Sequence, residues 1–189
     1  MYYLLKSVKL SFLNFKTINL PVEKMNRCLL PILLICVLIA GCSKTQSSLE
    51  QYKVQAAKDD QIVTSYIASH NLTGIAKKAT DTSGVYYIVL QQGQGNDLFT
   101  SSTHVTVGDT GRLLTTGTVF TQTNNFHPMY TLGQTILGWQ LGIPKIKKGG
   151  IVRLIMPSRY AYGPYPQPQL GLPANAILDF DIQLYDVTN

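Results

Sequence analysis

Cysteine and histidine are the side chains most often recruited for covalent or metal chemistry, and their placement here argues against both. All three cysteines, Cys28, Cys36 and Cys42, fall within the first 42 residues. The chain beyond them has no thiol, no disulfide and no cysteine metal site. His70, His104 and His127 are scattered at spacings that no metal-binding motif uses, and read as surface or loop residues. What remains is binding, and the single tryptophan. Trp139 lies in "GWQLGIPKIKKGG" (138–150), an apolar stretch too short for an ordinary helix that ends in a proline and a basic Gly-Gly turn. A buried tryptophan contributes more apolar area than any other side chain, so Trp139 is core filler unless its surroundings agree on a sharper role.

The amino terminus belongs to a different kind of segment. Met25-Asn26-Arg27 gives a short basic start, "LLPILLICVLIA" (29–40) is almost wholly apolar, and Ala40 and Gly41 are small. That order is the order of a secretory leader. The apolar run is shorter than the roughly 20 residues a membrane-spanning helix needs. "LIAGC", ending at Cys42, resembles the lipobox of bacterial lipoproteins, which implies cleavage before Cys42 and acylation of that residue. Several acyl chains on one residue would hold the protein on a membrane, whereas one gives only marginal binding. The expected organisation is a leader over 1–41 with its true start at Met25, a lipidated tether and amphipathic helix over 42–82, and a folded domain over 83–189. Such a protein is expected in the cell envelope, membrane-anchored outside the cytoplasm on the periplasmic side.

The net charge of +6 follows the same division. Five basic residues and one acidic residue precede Leu29, so about +2 remains for the rest of the chain. Nucleic-acid binding has no electrostatic footprint there.

Beyond the polar tether, Leu49 to His70 carries a helical pattern, with Ile62, Val63, Tyr66 and Ile67 on one face. Asp59 and Asp60 are placed to cap its second half, and Asn71 suits its end. The apolar face either mediates dimerisation or packs on the chain's own domain. From Gly84 the pattern is β. "VYYIVLQQG" (85–93) reads as a strand, "HVTVGDTGRLLTTGTVF" (104–120) as two strands bent at Thr116-Gly117, and "GGIVRLIMP" (149–157) as another. "ILDFDIQLYDV" (177–187) alternates, with Leu178, Phe180, Ile182 and Leu184 on one side and Asp179, Asp181 and Gln183 on the other, as in an antiparallel sheet buried on one face. The fold class expected is α+β, mostly strands with one short helix around Trp139.

"ILGWQLGIPKIKKGGIVRLIMPSRYAYG" (136–163), "LPANAILDFDIQL" (172–184) and "TGRLLTTGTVF" (110–120) resemble the FKBP-type peptidyl-prolyl isomerases in content and order. The resemblance implies an antiparallel half-barrel wrapped around one short helix, with Trp139 as the floor of a shallow apolar pocket. Matched position by position, it implies catalytic roles for Phe120, Trp139, Tyr162 and Phe180, with Ile136 and Leu172 completing the walls. The Ile136 N–H and the Tyr162 hydroxyl would hold ligand carbonyls, and Gly138 would let backbone approach whatever sits on the floor. It implies substrates that are proline-containing unfolded or exported polypeptides, binding of rapamycin-like macrolides, and no metal or cofactor. The physical logic is direct. Twisting a peptide bond breaks its resonance at a barrier of ~18–20 kcal/mol, and the twisted amide is less dipolar than the planar one. An apolar pocket binds the twisted form better, which is catalysis by differential binding, and each ~1.4 kcal/mol of preference is worth tenfold in rate.

Two positions depart from the family pattern. Asp109 stands before Thr110-Gly111 where a tyrosine is common, and Thr121 follows Phe120 where an aspartate is common. Strand alternation puts Asp109 on the side of Val105 and Val107, towards the pocket, unless the sheet bulges at Gly108 and turns it to solvent. The expectation is a swapped pair, with a carboxylate at 109 and a hydroxyl donor at 121, both contacting substrate in a roomier pocket. The departures also leave a second reading open, that of a binding module or chaperone with little turnover. The loop "GPYPQPQLGLP" (163–173) is expected to be stiff, either lying over the pocket or forming a plain surface loop.

Overall fold

Alternating β-branched and apolar residues at 104–113 and 178–188 build the two long strands at the centre of the fold. In the computed structural model, which describes residues 47–189, the strands are β1 (Lys77–Lys78), β2 (Tyr86–Gln91), β3 (His104–Leu113), β4 (Val119–Gln122), β5 (Met129–Thr131), β6 (Ile151–Met156) and β7 (Leu178–Thr188). They form one antiparallel sheet in the order β1-β2-β6-β7-β3-β4, with β5 paired to the first part of the same edge of β3 that β4 pairs further along. The outer strands of this series do not meet, so the curved sheet stays open, a half-barrel. Val105, Val107, Ile182 and Leu184 are fully buried on its concave face.

A short helix, α2 (Leu137–Gly142), lies in that concavity and runs into a 3-10 turn, Ile143–Lys145, with Pro144 in its first turn, where a missing N–H costs nothing. Gly149, at a φ of +80°, turns the chain into β6. At the hairpin between β3 and β4, Gly117 adopts a φ of +71° and its N–H donates to Leu113 O.

Residues 47–69 form a helix, α1, that closes at Asn71 with a φ of +57°. Its apolar stripe packs on its own domain: Val63 and Ile67 are buried against Leu114, Ile155 and Ile177 on the convex side of the sheet. This contact corrects two expectations. Asp179 does not face solvent but is 4% exposed, held by a bidentate ion pair with Arg153 at 2.8 and 2.9 Å beneath Tyr66, whose hydroxyl accepts from the same guanidinium. The sheet is therefore covered on both faces where α1 crosses it. Nor do Asp59 and Asp60 cap a helix segment, because α1 runs through them unbroken. Asp59, one turn before Val63 on the buried stripe, is 1% exposed and accepts hydrogen bonds from the Ser158 N–H at 3.0 Å and from its hydroxyl. Asp60 takes Arg159 at 2.8 and 2.9 Å. The two carboxylates tie α1 to the turn after β6.

Cys42 and the leader lie outside the described residues, and among the described residues no helix is long and apolar enough to cross a membrane.

Removing the Asp59 carboxylate would strand two buried donors, and each unsatisfied buried group costs roughly 1–3 kcal/mol. Asp59→Ala is expected to lose about 2–3 kcal/mol in urea unfolding, whereas Tyr52→Ala, at a position 55% exposed on the same helix, stays within about 0.5 kcal/mol of the parent.

Candidate active site

Between α2 and the concave sheet opens a pocket of about 580 Å³. Trp139, 6% exposed, forms its floor. Four rings meet in series there. Tyr130 meets Trp139 edge-to-face at 5.7 Å, Phe180 meets Trp139 at 5.3 Å, and Phe120 meets Phe180 at 5.5 Å. Perpendicular contacts of this kind place a ring's positive edge on a neighbour's negative face, and each adds about 0.5–1.5 kcal/mol beyond area burial.

Local sequence explains how the rings come together. Gly111 pairs with Thr121 and Arg112 with Val119, so Phe120 is the extra residue of a bulge in β4. Bulges re-aim side chains and are enriched beside active sites. A Cβ at Gly111 would stand 2.6 Å from Phe180 and 2.7 Å from Phe120, so only glycine lets both rings close over the strand. Ile136, extended at φ −61° and ψ 147°, is the N-cap of α2. Its carbonyl accepts from the Trp139 N–H at 3.0 Å, while its own N–H donates to none of the described residues. Tyr162 leaves a 3-10 turn, Ser158–Tyr160, that is closed by the Gly163 N–H donating to Ser158 O. Nothing among the described residues bonds the Tyr162 hydroxyl. The Trp139 indole N–H is likewise buried without a partner.

Asp109 is on the pocket wall. The sheet does not bulge at Gly108: Gly108 and Asp109 pair in register with Gln183 and Ile182. The residue is 7% exposed, and burial pushes its carboxyl above the usual carboxylate range. Only its backbone is bonded, its N–H donating to Thr123 Oγ1 at 2.8 Å and its carbonyl accepting from the Thr123 N–H at 3.0 Å. Thr121 lines the same pocket but makes no hydrogen bond to the carboxylate, so the swapped pair does not form. The groups that feel Asp109 are two tyrosines instead. Burial and then the nearby carboxylate raise the Tyr162 hydroxyl, and the same two causes raise Tyr130.

Phe120, Ile136, Trp139, Tyr162, Phe180, Asp109 and Thr121 thus line one cavity, and two expectations fail. Leu172 lies in the core at 2% exposure, and Leu170 lines the pocket in its place. A 3-10 turn at Pro168–Leu170 followed by Gly171 at φ +66° carries the chain over the pocket and then inward. Gly138 does not face the floor either: a Cβ there would meet Met156 Sδ at 2.3 Å, so this glycine seats the helix on the sheet. Met129, Tyr130, Gln134 and Thr135 were not anticipated. β5 is only three residues long, too short for alternation to register, although an aromatic before Thr131-Leu132 was a usable sign.

Known proteins share this fold. Residues 95–185 match the family described as FKBP-type peptidyl-prolyl cis-trans isomerase, and the pocket-bearing domain belongs to that family. The FKBP-type peptidyl-prolyl cis-trans isomerase FkpA of Buchnera aphidicola subsp. Schizaphis graminum is 38% identical over 120 residues, covering 62% of this chain and 45% of that protein. The chain spans about half the length of the curated relatives it matches. The crystal structure of FkpA from Escherichia coli superposes with a TM-score of 0.59 at 27% identity, over 90% of this chain and 74% of that one. A peptidyl-prolyl cis-trans isomerase from Pseudomonas syringae shares the fold with a TM-score of 0.61 at 24% identity, over 73% of this chain and 96% of that one.

Two measurements follow from this geometry. Gly111→Ala forces Phe120 or Phe180 aside; overpacking of this kind costs roughly 1–3 kcal/mol, and Trp139 fluorescence is expected to shift as its neighbours move. Asp109 has a folded-state pKa raised above its unfolded one, so its ionisation works against the fold. Stability is full below the ordinary carboxylate range and is lost as pH rises through the raised value. Asp109→Asn is therefore expected to unfold at higher urea than the parent at pH 7, with the advantage vanishing towards pH 3.

Proposed function

We propose that this protein is a peptidyl-prolyl cis-trans isomerase that acts on Xaa-Pro bonds of exported polypeptides and assists their folding in the cell envelope. The single observation that carries the reading is the aromatic pocket over Trp139 with a backbone donor at its edge, Ile136 N–H, that has no partner among the described residues. In this reading Trp139 and Phe180 receive the pyrrolidine ring and Phe120 closes one side. The Ile136 N–H and the Tyr162 hydroxyl donate hydrogen bonds to the flanking carbonyls of the peptide and fix the chain about the bond that turns. The twisted amide is less dipolar than either planar isomer, so a water-excluding aromatic wall lowers the barrier without any covalent step. Uncatalysed prolyl isomerisation takes tens to hundreds of seconds, slow enough to limit folding outside the cytoplasm.

The leader and Cys42 support an acylated form anchored to the membrane on the periplasmic side. The same pocket is proposed as a site for a rapamycin-like macrolide. The uncompensated Asp109 carboxylate favours a second reading, a binding module or chaperone that grips proline-containing chains with little turnover.

NMR exchange spectroscopy on an Ala-Leu-Pro-Phe peptide with catalytic amounts of the full chain separates the two. The isomerase accelerates cis–trans exchange, a rapamycin-type macrolide blocks it, and Tyr162→Phe lowers kcat/KM by about tenfold, the equivalent of one lost hydrogen bond. A folded chain that binds the peptide without accelerating exchange is the binding module.

A further inference from the structure

Asp109 is the unusual element of the pocket. Its side chain is buried, accepts no hydrogen bond among the described residues, and has no counter-cation: no lysine, arginine or histidine lines the cavity. Arg112, three residues along β3, has its guanidinium on Asp181 at 2.7 Å on the opposite face of the sheet, and His127 packs against Gly108 on that same opposite face. A lone carboxylate on an apolar wall is unfavourable unless something pairs it. Two tyrosine hydroxyls stand near it, Tyr130 and Tyr162, but among the described residues no positive charge lines the cavity. At the mouth, Met129 is 63% exposed and Tyr130 38% exposed. An apolar rim leading to a negative charge suits a side chain with an aliphatic stem and a cationic head, since lysine and arginine lay their methylenes along apolar surface while the head seeks its partner.

We infer that Asp109 is a specificity-determining residue that selects Xaa-Pro segments carrying a lysine or arginine next to the proline. The basic head completes the pocket electrostatically, and the proline ring then enters a site whose only ionised group is neutralised. This inference rests on the isomerase reading of the same pocket and names the substrate class within it. An acidic neighbour would meet like charge in a partly desolvated cavity, where such interactions are several times stronger than in water. Discrimination therefore comes from repulsion as well as attraction.

The test uses the full chain and four peptides, Ala-Lys-Pro-Phe, Ala-Leu-Pro-Phe, Ala-Glu-Pro-Phe and Ala-Leu-Pro-Lys, assayed at low salt for catalysed exchange and for binding by Trp139 fluorescence. The expected result is a kcat/KM for the better lysine peptide on the order of tenfold above that of the glutamate peptide, the size of one charge pair at several ångström. Raising the salt to about 0.5 M shrinks the ratio, because screening shortens the reach of the charge. Asp109→Asn brings the lysine-to-glutamate ratio close to one. Equal rates and equal binding for lysine and glutamate peptides, or a ratio that survives Asp109→Asn, would overturn the inference. Lysine-selective binding without any accelerated exchange would uphold the role of Asp109 and remove the isomerase reading, so the two fail separately.

Discussion

A helix of six residues is far below the length at which an isolated helix holds in water, about 12–15 residues, so α2 exists only because of what it rests on. Gly138 and Gly142 stand four apart, on one face of the helix, and that face lies against β6. Added Cβ atoms at these two positions would come within 2.3 Å of Met156 Sδ and of Leu154 Cδ2. The contact is between helix backbone and the ends of two buried side chains, and it fixes how deep the helix sits in the half-barrel. Trp139, one residue after Gly138, is rotated by about 100° around the axis and so turns away from β6 to become the pocket floor. The depth of the pocket and the height of its floor are both set by that seat.

The wall opposite depends on β3, which serves two surfaces at once. Its concave side carries Val105, Val107, Asp109 and Gly111, a series that changes from core to pocket along one strand. Gly111 admits the two phenylalanines, and the bulge beside it delivers Phe120. On the convex side, α1 packs over β6 and β7 and reaches with Asp59 and Asp60 to Ser158 and Arg159. Those residues begin the turn that ends in Tyr162. The same turn is held from its other end, where the Asn175 N–H donates to Gly163 O at 2.9 Å. Tyr162 therefore stands on a segment fastened at both ends, although its hydroxyl has no partner among the described residues.

The parts readable from sequence were those where one rule dominates. Alternation over ten or eleven residues located β3 and β7, while Gly117 marked the turn after β3 and Asn71 the end of α1, both at positive φ. The family pattern carried the pocket aromatics, because ring residues cannot be exchanged without changing the cavity. The failures share a different cause, the arrival of an element from far along the chain. Asp179 reads as solvent-facing by alternation and is buried because α1 covers it. Asp59 and Asp60 read as local caps and bind partners about a hundred residues away. Gly138 reads as pocket lining and is a packing surface, since a sequence does not say which side of a glycine is crowded. Leu172 was displaced by the left-handed Gly171, which gave its place to Leu170.

Asp109 brings the energetics of the pocket into conflict with themselves. Differential binding of a twisted amide requires a dry, weakly polar site, while an ionised carboxylate holds water and raises the local dielectric response. Three arrangements reconcile them: protonation of the carboxyl, donation from a neighbouring hydroxyl, or a positive charge carried in by the substrate. Burial moves the carboxyl towards the first, but Thr121 makes no bond that would supply the second, and no cation among the described residues lines the cavity. A family tyrosine at this position would avoid the conflict by being neutral. A carboxylate there instead leaves the free pocket incompletely paired, and an incoming basic side chain both satisfies it and displaces its water. Substrate binding and the drying of the site then become one event, which links selectivity to the medium in which the bond turns.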